Sequence, residues 1–164
     1  MAKTESRKEH LYDLLKDFDT AMLVTHPSSG AAHARPMAVA ELDPDGDAYF
    51  VTSIGSPKID EVEANPAVTL TFQSSSKFAS VSGRVQVVRD RAVIERLWKE
   101  AWKVWFPQGK TDPSISLLKF DGEQGEYWDN SGVHGLKYVF EAAKAYVQGQ
   151  KPSTDRSQNA KVAL

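Results

Sequence analysis

The feature that most constrains this chain is the order of its apolar runs. Three β-type stretches, Thr20–Thr25, Ala34–Leu42 and Ala48–Ser53, follow one another with only turn residues between them. Pro27-Ser28-Ser29-Gly30 separates the first two, and Asp43-Pro44-Asp45-Gly46-Asp47 the second pair. Pro, Gly, Asp and Ser in such clusters bend the backbone back on itself. Strands so close in sequence pair as an antiparallel meander, because a parallel pair needs a long crossover.

Other elements are placed around this meander. Ser6-Arg7-Lys8-Glu9 has the form of a capping box, and Leu11, Leu14, Leu15 and Phe18 continue it at helical spacing. Ser56-Pro57 reads as a helix start, which Asn65-Pro66 ends. Ala67–Gln73 is a fourth strand. Phe78–Val88 is a fifth, with Ala79, Val81, Gly83, Val85 and Val87 on one face. Gly83 in mid-strand signals a bulge or a close backbone approach. Asp90 can cap a further helix whose stripe is Ile94, Leu97, Trp98, Ala101 and Trp105, with Trp102 off the stripe. On that phase Trp98 and Trp105 belong to the core. Ile115–Phe120 and Glu126–Asp129 read as a strand pair about Asp121-Gly122-Glu123. Tyr138, Val139, Ala142, Tyr146 and Val147 outline a last helix.

The sequence therefore predicts a mainly β fold of about six to seven antiparallel strands with flanking α-helices. The absence of strand–helix alternation argues against a doubly wound sheet. Closure into a barrel would remove exposed edges. The reading is one domain, residues 1–148, and a loose polar tail, residues 149–164.

Composition narrows the function. A formal net charge of −2 gives no general attraction to nucleic acid or an anionic membrane. The chain has no cysteine, which removes disulfides, thiolate chemistry and cysteine-ligated metal. His10, His26, His33 and His134 are scattered, with no second ligand at helical spacing, so no metal site is expected. Met1–His10 is polar and has no apolar run after it, so the expectation is a cytoplasmic protein.

Two short motifs can carry chemistry. In Ser56-Pro57-Lys58 a helix start offers N–H groups, a hydroxyl and a cation, a set suited to phosphate. An ordinary capped helix with a surface lysine explains the same residues. In Arg35-Pro36-Met37 the proline withholds a ladder donor, so the backbone is free to face a ligand, and the arginine has a fork for phosphate. An edge-strand proline beside a solvated arginine is the simpler alternative. The carboxylates Asp43-Asp45-Asp47 and Asp60-Glu61-Glu63 read as solvated surface.

The order of these pieces is more specific than any one of them. Thr20-Ala-Met-Leu-Val-Thr25, Ala34-Arg-Pro-Met-Ala38, Ala48-Tyr-Phe-Val-Thr-Ser53, Ser56-Pro-Lys-Ile59, Asn65-Pro-Ala-Val-Thr-Leu70 and Val81-Ser-Gly-Arg84 occur in succession. This series resembles the pyridoxamine-5′-phosphate-oxidase-like FMN-binding split-barrel superfamily, in its bacterial general stress protein branch, over about residues 6 to 148. The resemblance implies a homodimer with FMN at the subunit interface. Arg35 and Lys58 would hold the phosphate, with Ser56 and Thr52 donating hydrogen bonds. Backbone groups of Pro36, Met37, Ala38 and Val51 would line the isoalloxazine, and Trp105, Phe106 and Trp128 would approach from the second subunit.

Two departures limit what the resemblance implies. The true oxidases carry a second basic residue before the lysine, where this chain has Pro57, and a tryptophan and arginine-rich motif near the chain end. Here the tail from Gln150 to Leu164 has one arginine, Arg156, and no tryptophan. Oxidation of pyridoxamine phosphate is therefore not expected. Three functions stay open: an FMN-dependent oxidoreductase with a reduced nicotinamide as candidate donor, a flavin carrier or redox sensor without turnover, or a cofactor-free barrel that packs against or binds something else. No residue is an evident proton donor.

Overall fold

The computed structural model describes residues 2–131 and 159–164, together with Lys144. Its elements run α1 (Ala2–Leu15), β1 (Thr20–Thr25), β2 (His33–Leu42), β3 (Ala48–Ser53), α2 (Pro57–Ala64), β4 (Ala67–Gln73), β5 (Lys77–Val88), α3 (Arg91–Leu97), short 3-10 turns at Glu100–Val104 and Gly109–Thr111, β6 (Ile115–Asp129) and β7 (Asn159–Ala163). The mainly β prediction holds.

All strand pairings are antiparallel, in the order β3-β2-β1-β4-β5-β6-β7. A further ladder from Ala48↔Phe120 to Ser53↔Ile115 joins β3 to β6 and closes six strands into a barrel. Closure satisfies the backbone donors and acceptors that an open sheet would leave at its edges. β7 pairs with the other half of β6, from Gln124↔Ala163 to Trp128↔Asn159. The turn between β2 and β3 requires Gly46 at φ +93°, a conformation side chains disfavour, and is closed by Gly46 N–H to Asp43 O at 3.0 Å.

Side chains alternate as the pleat demands. Ala79, Val81 and Val85 of β5 point into the barrel with Leu23, Phe50, Leu70 and Phe120. Leu11, Leu14 and Leu15 of α1 and Ile59 and Val62 of α2 join that core. A second cluster lies on the outer face of β3 and β6, where Ile94, Leu97, Trp102 and Phe106 cover Val51, Ile115 and Leu117.

Several sequence expectations are corrected. α1 begins at Ala2, so Ser6 lies within the helix and is no cap. The helix stops at Leu15, and Phe18 reaches the core from beyond it, with its ring 5.7 Å from Phe72. Residues 115–129 form one continuous strand and not a pair around residues 121–123. β5 runs beside it from Leu117 to Asp129, so the irregularity at Gly83 and Gly122 is absorbed as a shift of register. The tail is not loose throughout, because Asn159–Ala163 is a strand. The helix outlined by Tyr138 to Val147 lies outside the described residues.

The tryptophan phase is corrected in part: Trp98 packs against the second cluster as expected, but Trp105 does not. α3 ends at Leu97, with Asp90 accepting from Ala92 N–H at its start. Trp98 and Lys99 are extended, and a 3-10 turn follows. Two extended residues reset the helical phase. Trp102 is thereby buried, edge-on to Trp98 at 5.7 Å, while Trp105 is 60% exposed. Among the described residues no helix is long and apolar enough to cross a membrane.

Candidate functional site

The site begins where β2 and β3 part. Their ladder runs from Leu42↔Ala48 to Val39↔Phe50, with a shift of register between Val39 and Glu41. Beyond Val39 the two strands no longer pair. Pro36 has no N–H with which to extend a ladder. Pro36, Met37 and Ala38 form one wall of the resulting cavity, and Val51, Thr52 and Ser53 the other. Ser56 and Lys58 at the start of α2 lie at one side, and Trp105 and Phe106 complete the lining. The volume is about 440 Å³, within the range of small-molecule and cofactor pockets.

Lys58 carries the charge of this cavity. Its Nζ donates to Ser56 Oγ at 2.6 Å and to Thr52 Oγ1 at 3.1 Å. Among the described residues it has no carboxylate within ion-pair distance. Burial pulls its ammonium below the usual lysine range, and the nearby Arg35 charge adds to that. Ser56 occupies the helix N-cap, yet its hydroxyl accepts from Lys58 and makes no capping bond. A partly buried cation surrounded by hydroxyls at a helix start favours an anion.

Arg35 faces different company. Its Nη2 donates to Glu61 Oε2 at 2.6 Å and its Nη1 to Thr25 Oγ1 at 2.6 Å. Thr25 Oγ1 donates to Glu61 Oε2 at 2.5 Å, and His33 Nδ1 lies 2.8 Å from Glu61 Oε1. Hydrogen bonds from Thr25 and His33, then Arg35, hold the Glu61 carboxyl down to about 2. Glu61 was expected at the solvated surface, but its side chain is only 16% exposed. Its spacing from Lys58 was the available signal: residues three apart share one face of a helix.

This hub predicts a pH dependence. The ordinary Glu61 value is 4.5 and the folded one about 2. Its contribution to stability is complete above pH 4.5 and is lost as pH falls from there toward 2. Glu61→Gln should flatten that part of the acid-unfolding curve relative to wild type, as followed by circular dichroism between pH 5 and about 2.

The structure brings together Pro36, Met37, Ala38, Val51, Thr52, Ser56, Lys58, Trp105 and Phe106. Ser53 joins them without having been anticipated, although it is simply the next residue of β3. Arg35 does not line the cavity. Trp128 stands on β6 between Phe78 and Asn159, also away from it. Trp105 and Phe106, expected from a second subunit, line the cavity of their own chain. The break after α3 puts them there, which the helical phase did not reveal.

Comparison with known proteins agrees with this architecture. Residues 6–153 match the family described as pyridoxamine 5′-phosphate oxidase like. A protein of Jannaschia sp. CCS1 assigned as a general stress protein 26 has a similar structure, with a TM-score of 0.73 and 26% identity over 100% of both chains. A general stress FMN/FAD binding protein of Xanthomonas citri aligns at a TM-score of 0.67 and 32% identity, over 79% of this chain and 92% of that one. Protein bli-3 of Neurospora crassa is 28% identical over 111 residues, 60% of this chain and 53% of that protein. The chain thus spans about half the length of that curated relative.

Proposed function

The chain belongs to the pyridoxamine 5′-phosphate oxidase-like family, and from that premise we propose that it is a flavin-binding protein of the general stress type that takes FMN in the cavity between β2 and β3. The observation that carries the reading is Lys58, a partly buried cation in the cavity with two hydroxyls and, among the described residues, no carboxylate within ion-pair distance. A phosphate near −2 needs such a charge and several donors. Lys58, Ser56 and Thr52 would hold it. The flat ring system would lie against Pro36, Met37, Ala38 and Val51, with Trp105 and Phe106 as the apolar wall. The Xanthomonas citri relative, described as FMN/FAD binding, supports the choice of ligand.

A homodimer is part of the proposal. Trp105 is 60% exposed at the cavity and Val104 beside it 74%. A second copy would cover these side chains and close the site.

When bound, flavin supplies hydride and electron transfer. The chain's part is to position the ring, exclude water with Trp105 and Phe106, and neutralise the phosphate. Among the described residues, no Asp, Glu or His lines the cavity. That favours a second reading beside the oxidoreductase: a flavin carrier or redox sensor with slow or no turnover.

Titration of the purified protein with FMN and with riboflavin, followed by absorbance and fluorescence, tests the proposal. Saturable binding is expected, tighter for FMN by about tenfold or more, the worth of one charge-assisted contact. A folded protein that binds neither flavin overturns it.

A further inference from the structure

Trp98, Trp102 and Trp105 lie close together in the chain, and the break after α3 sets them in a row that leads away from the cavity. Trp105 lines the cavity and is 60% exposed. Its N–H donates to the Trp102 carbonyl at 2.9 Å, one 3-10 turn back. Residues three apart in such a turn project from the same side. Trp102 is buried, and its ring meets Trp98 edge-on at 5.7 Å between centroids. Trp98 is half-buried, and its Nε1 donates to Glu100 Oε1 at 2.9 Å on the surface. Lys103 holds the other Glu100 oxygen at 2.6 Å. Packing accounts for Trp102 and for part of Trp98, but not for Trp105, most of whose surface is in solvent.

We propose that Trp105, Trp102 and Trp98 form a one-electron relay that joins the flavin cavity to the protein surface. The inference rests on the flavin reading above and adds an activity to it. Indole is among the most readily oxidised side chains, and a flavin excited by light is a strong one-electron oxidant. Trp105 loses an electron to the excited ring, Trp102 refills Trp105, and Trp98 refills Trp102. Electrostatics sets the direction. A positive charge on buried Trp102 lacks solvation, whereas on Trp98 it meets water and the Glu100 carboxylate. Trp98 is then refilled by a soluble thiol, which releases its proton to solvent, and two thiols oxidised in this way join as one disulfide. Each electron gained in the cavity is thus one lost by a thiol.

Flash excitation of the FMN-loaded protein tests the relay, with transient absorbance and electron paramagnetic resonance reading the tryptophan radical. In wild-type protein the radical should outlive the flash and decay faster as dithiothreitol is added. Trp98→Phe should shorten its lifetime about tenfold or more, because the charge then stops on a buried ring and returns to the cavity. Trp105→Phe should cut the radical yield by a similar factor and restore flavin fluorescence that Trp105 quenches in wild type. In Glu100→Gln the side chain still accepts from Trp98 but carries no charge, and the lifetime should fall about two- to fivefold, the worth of one exposed ionic contact.

A radical that lives as long in Trp98→Phe as in wild type overturns the relay, since the charge then never reaches Trp98. Unchanged fluorescence and radical yield in Trp105→Phe overturn it as well. A thermal melt beside each flash experiment shows that the variant is folded. Should the tryptophan variants lose the fold, the surface change Glu100→Gln decides, and an unchanged lifetime there overturns the relay. The failure of the underlying reading looks different: the folded wild-type protein then binds neither flavin, and the cavity holds no ring to excite.

Discussion

Lys58→Ala is expected to weaken FMN binding by about 1.5–3 kcal/mol, or roughly ten- to a hundredfold, while leaving riboflavin binding nearly unchanged. The asymmetry follows from what Lys58 touches. Its ammonium meets Thr52 and Ser56, both in the lining of the cavity. In the variant these hydroxyls face an open cavity where water can replace the lost donor, so little folding energy is at stake. A phosphate in the same place would lose the ammonium that lines the cavity. Riboflavin has no phosphate and has nothing to lose there. Parallel titrations with both flavins, beside a thermal melt, check the prediction. Equal losses for the two would mean that Lys58 shapes the cavity without reading the phosphate, and no loss for FMN would place the phosphate elsewhere.

Gly83→Ala should be the most damaging single methyl group in the barrel. A Cβ at Gly83 would overlap the Asp121 carbonyl oxygen and come within 2.8 and 2.9 Å of the Phe120 ring. The carbonyl belongs to the paired strand, and the ring is among the most deeply buried in the protein. Neither can move without opening the ladder between β5 and β6. Overpacking of this kind costs about 3 kcal/mol or more, and a domain of this size loses roughly 2–4 °C per kcal/mol. A drop in Tm of about 6–12 °C is therefore expected. Gly55→Ala is the control, since no described residue lies within 4 Å of a Cβ there; it should change stability by about 0.5 kcal/mol or less. Equal melting temperatures for the two variants would mean that the strands can separate at Gly83 at little cost.

The pattern legible in the sequence was mostly local. Thr20–Thr25, Ala48–Ser53 and Ala67–Gln73 have the predicted bounds because alternation and turn residues are properties of neighbouring positions. The helix from Pro57 to Ala64 was marked at both ends by Ser56-Pro57 and Asn65-Pro66 for the same reason. Gly83 announced its bulge by interrupting an apolar face. The Ser56, Lys58 and Pro36–Ala38 part of the cavity was also visible, since a helix start and a strand proline each expose backbone in a way their own residues dictate.

Non-local contacts decided the rest. Asp121-Gly122-Glu123 has the composition of a turn, but β5 offers partners on both sides of it, from Leu117 to Asp129, so β6 runs straight through. Asn159–Ala163 is polar enough to read as tail, and only the free half of β6 makes it a strand. Trp98 and Trp105 share a face only while a helix continues, and after the extended residues that follow Leu97 it is Trp102 that joins Trp98 in the second cluster, with Trp105 left exposed. Glu61 is ordinary in the sequence and becomes a hub when β1 and β2 bring Thr25, His33 and Arg35 against α2.

The sequence by itself thus determined the succession of strands, their turns and the two motifs that border the cavity. Periodicity, proline and glycine act through the nearest few residues and need no fold to be read. Tertiary structure alone decided which edge closes the barrel, which tryptophan is exposed and which cation lines the cavity. Each of those outcomes depends on groups distant in the chain competing for the same hydrogen bond or the same apolar space.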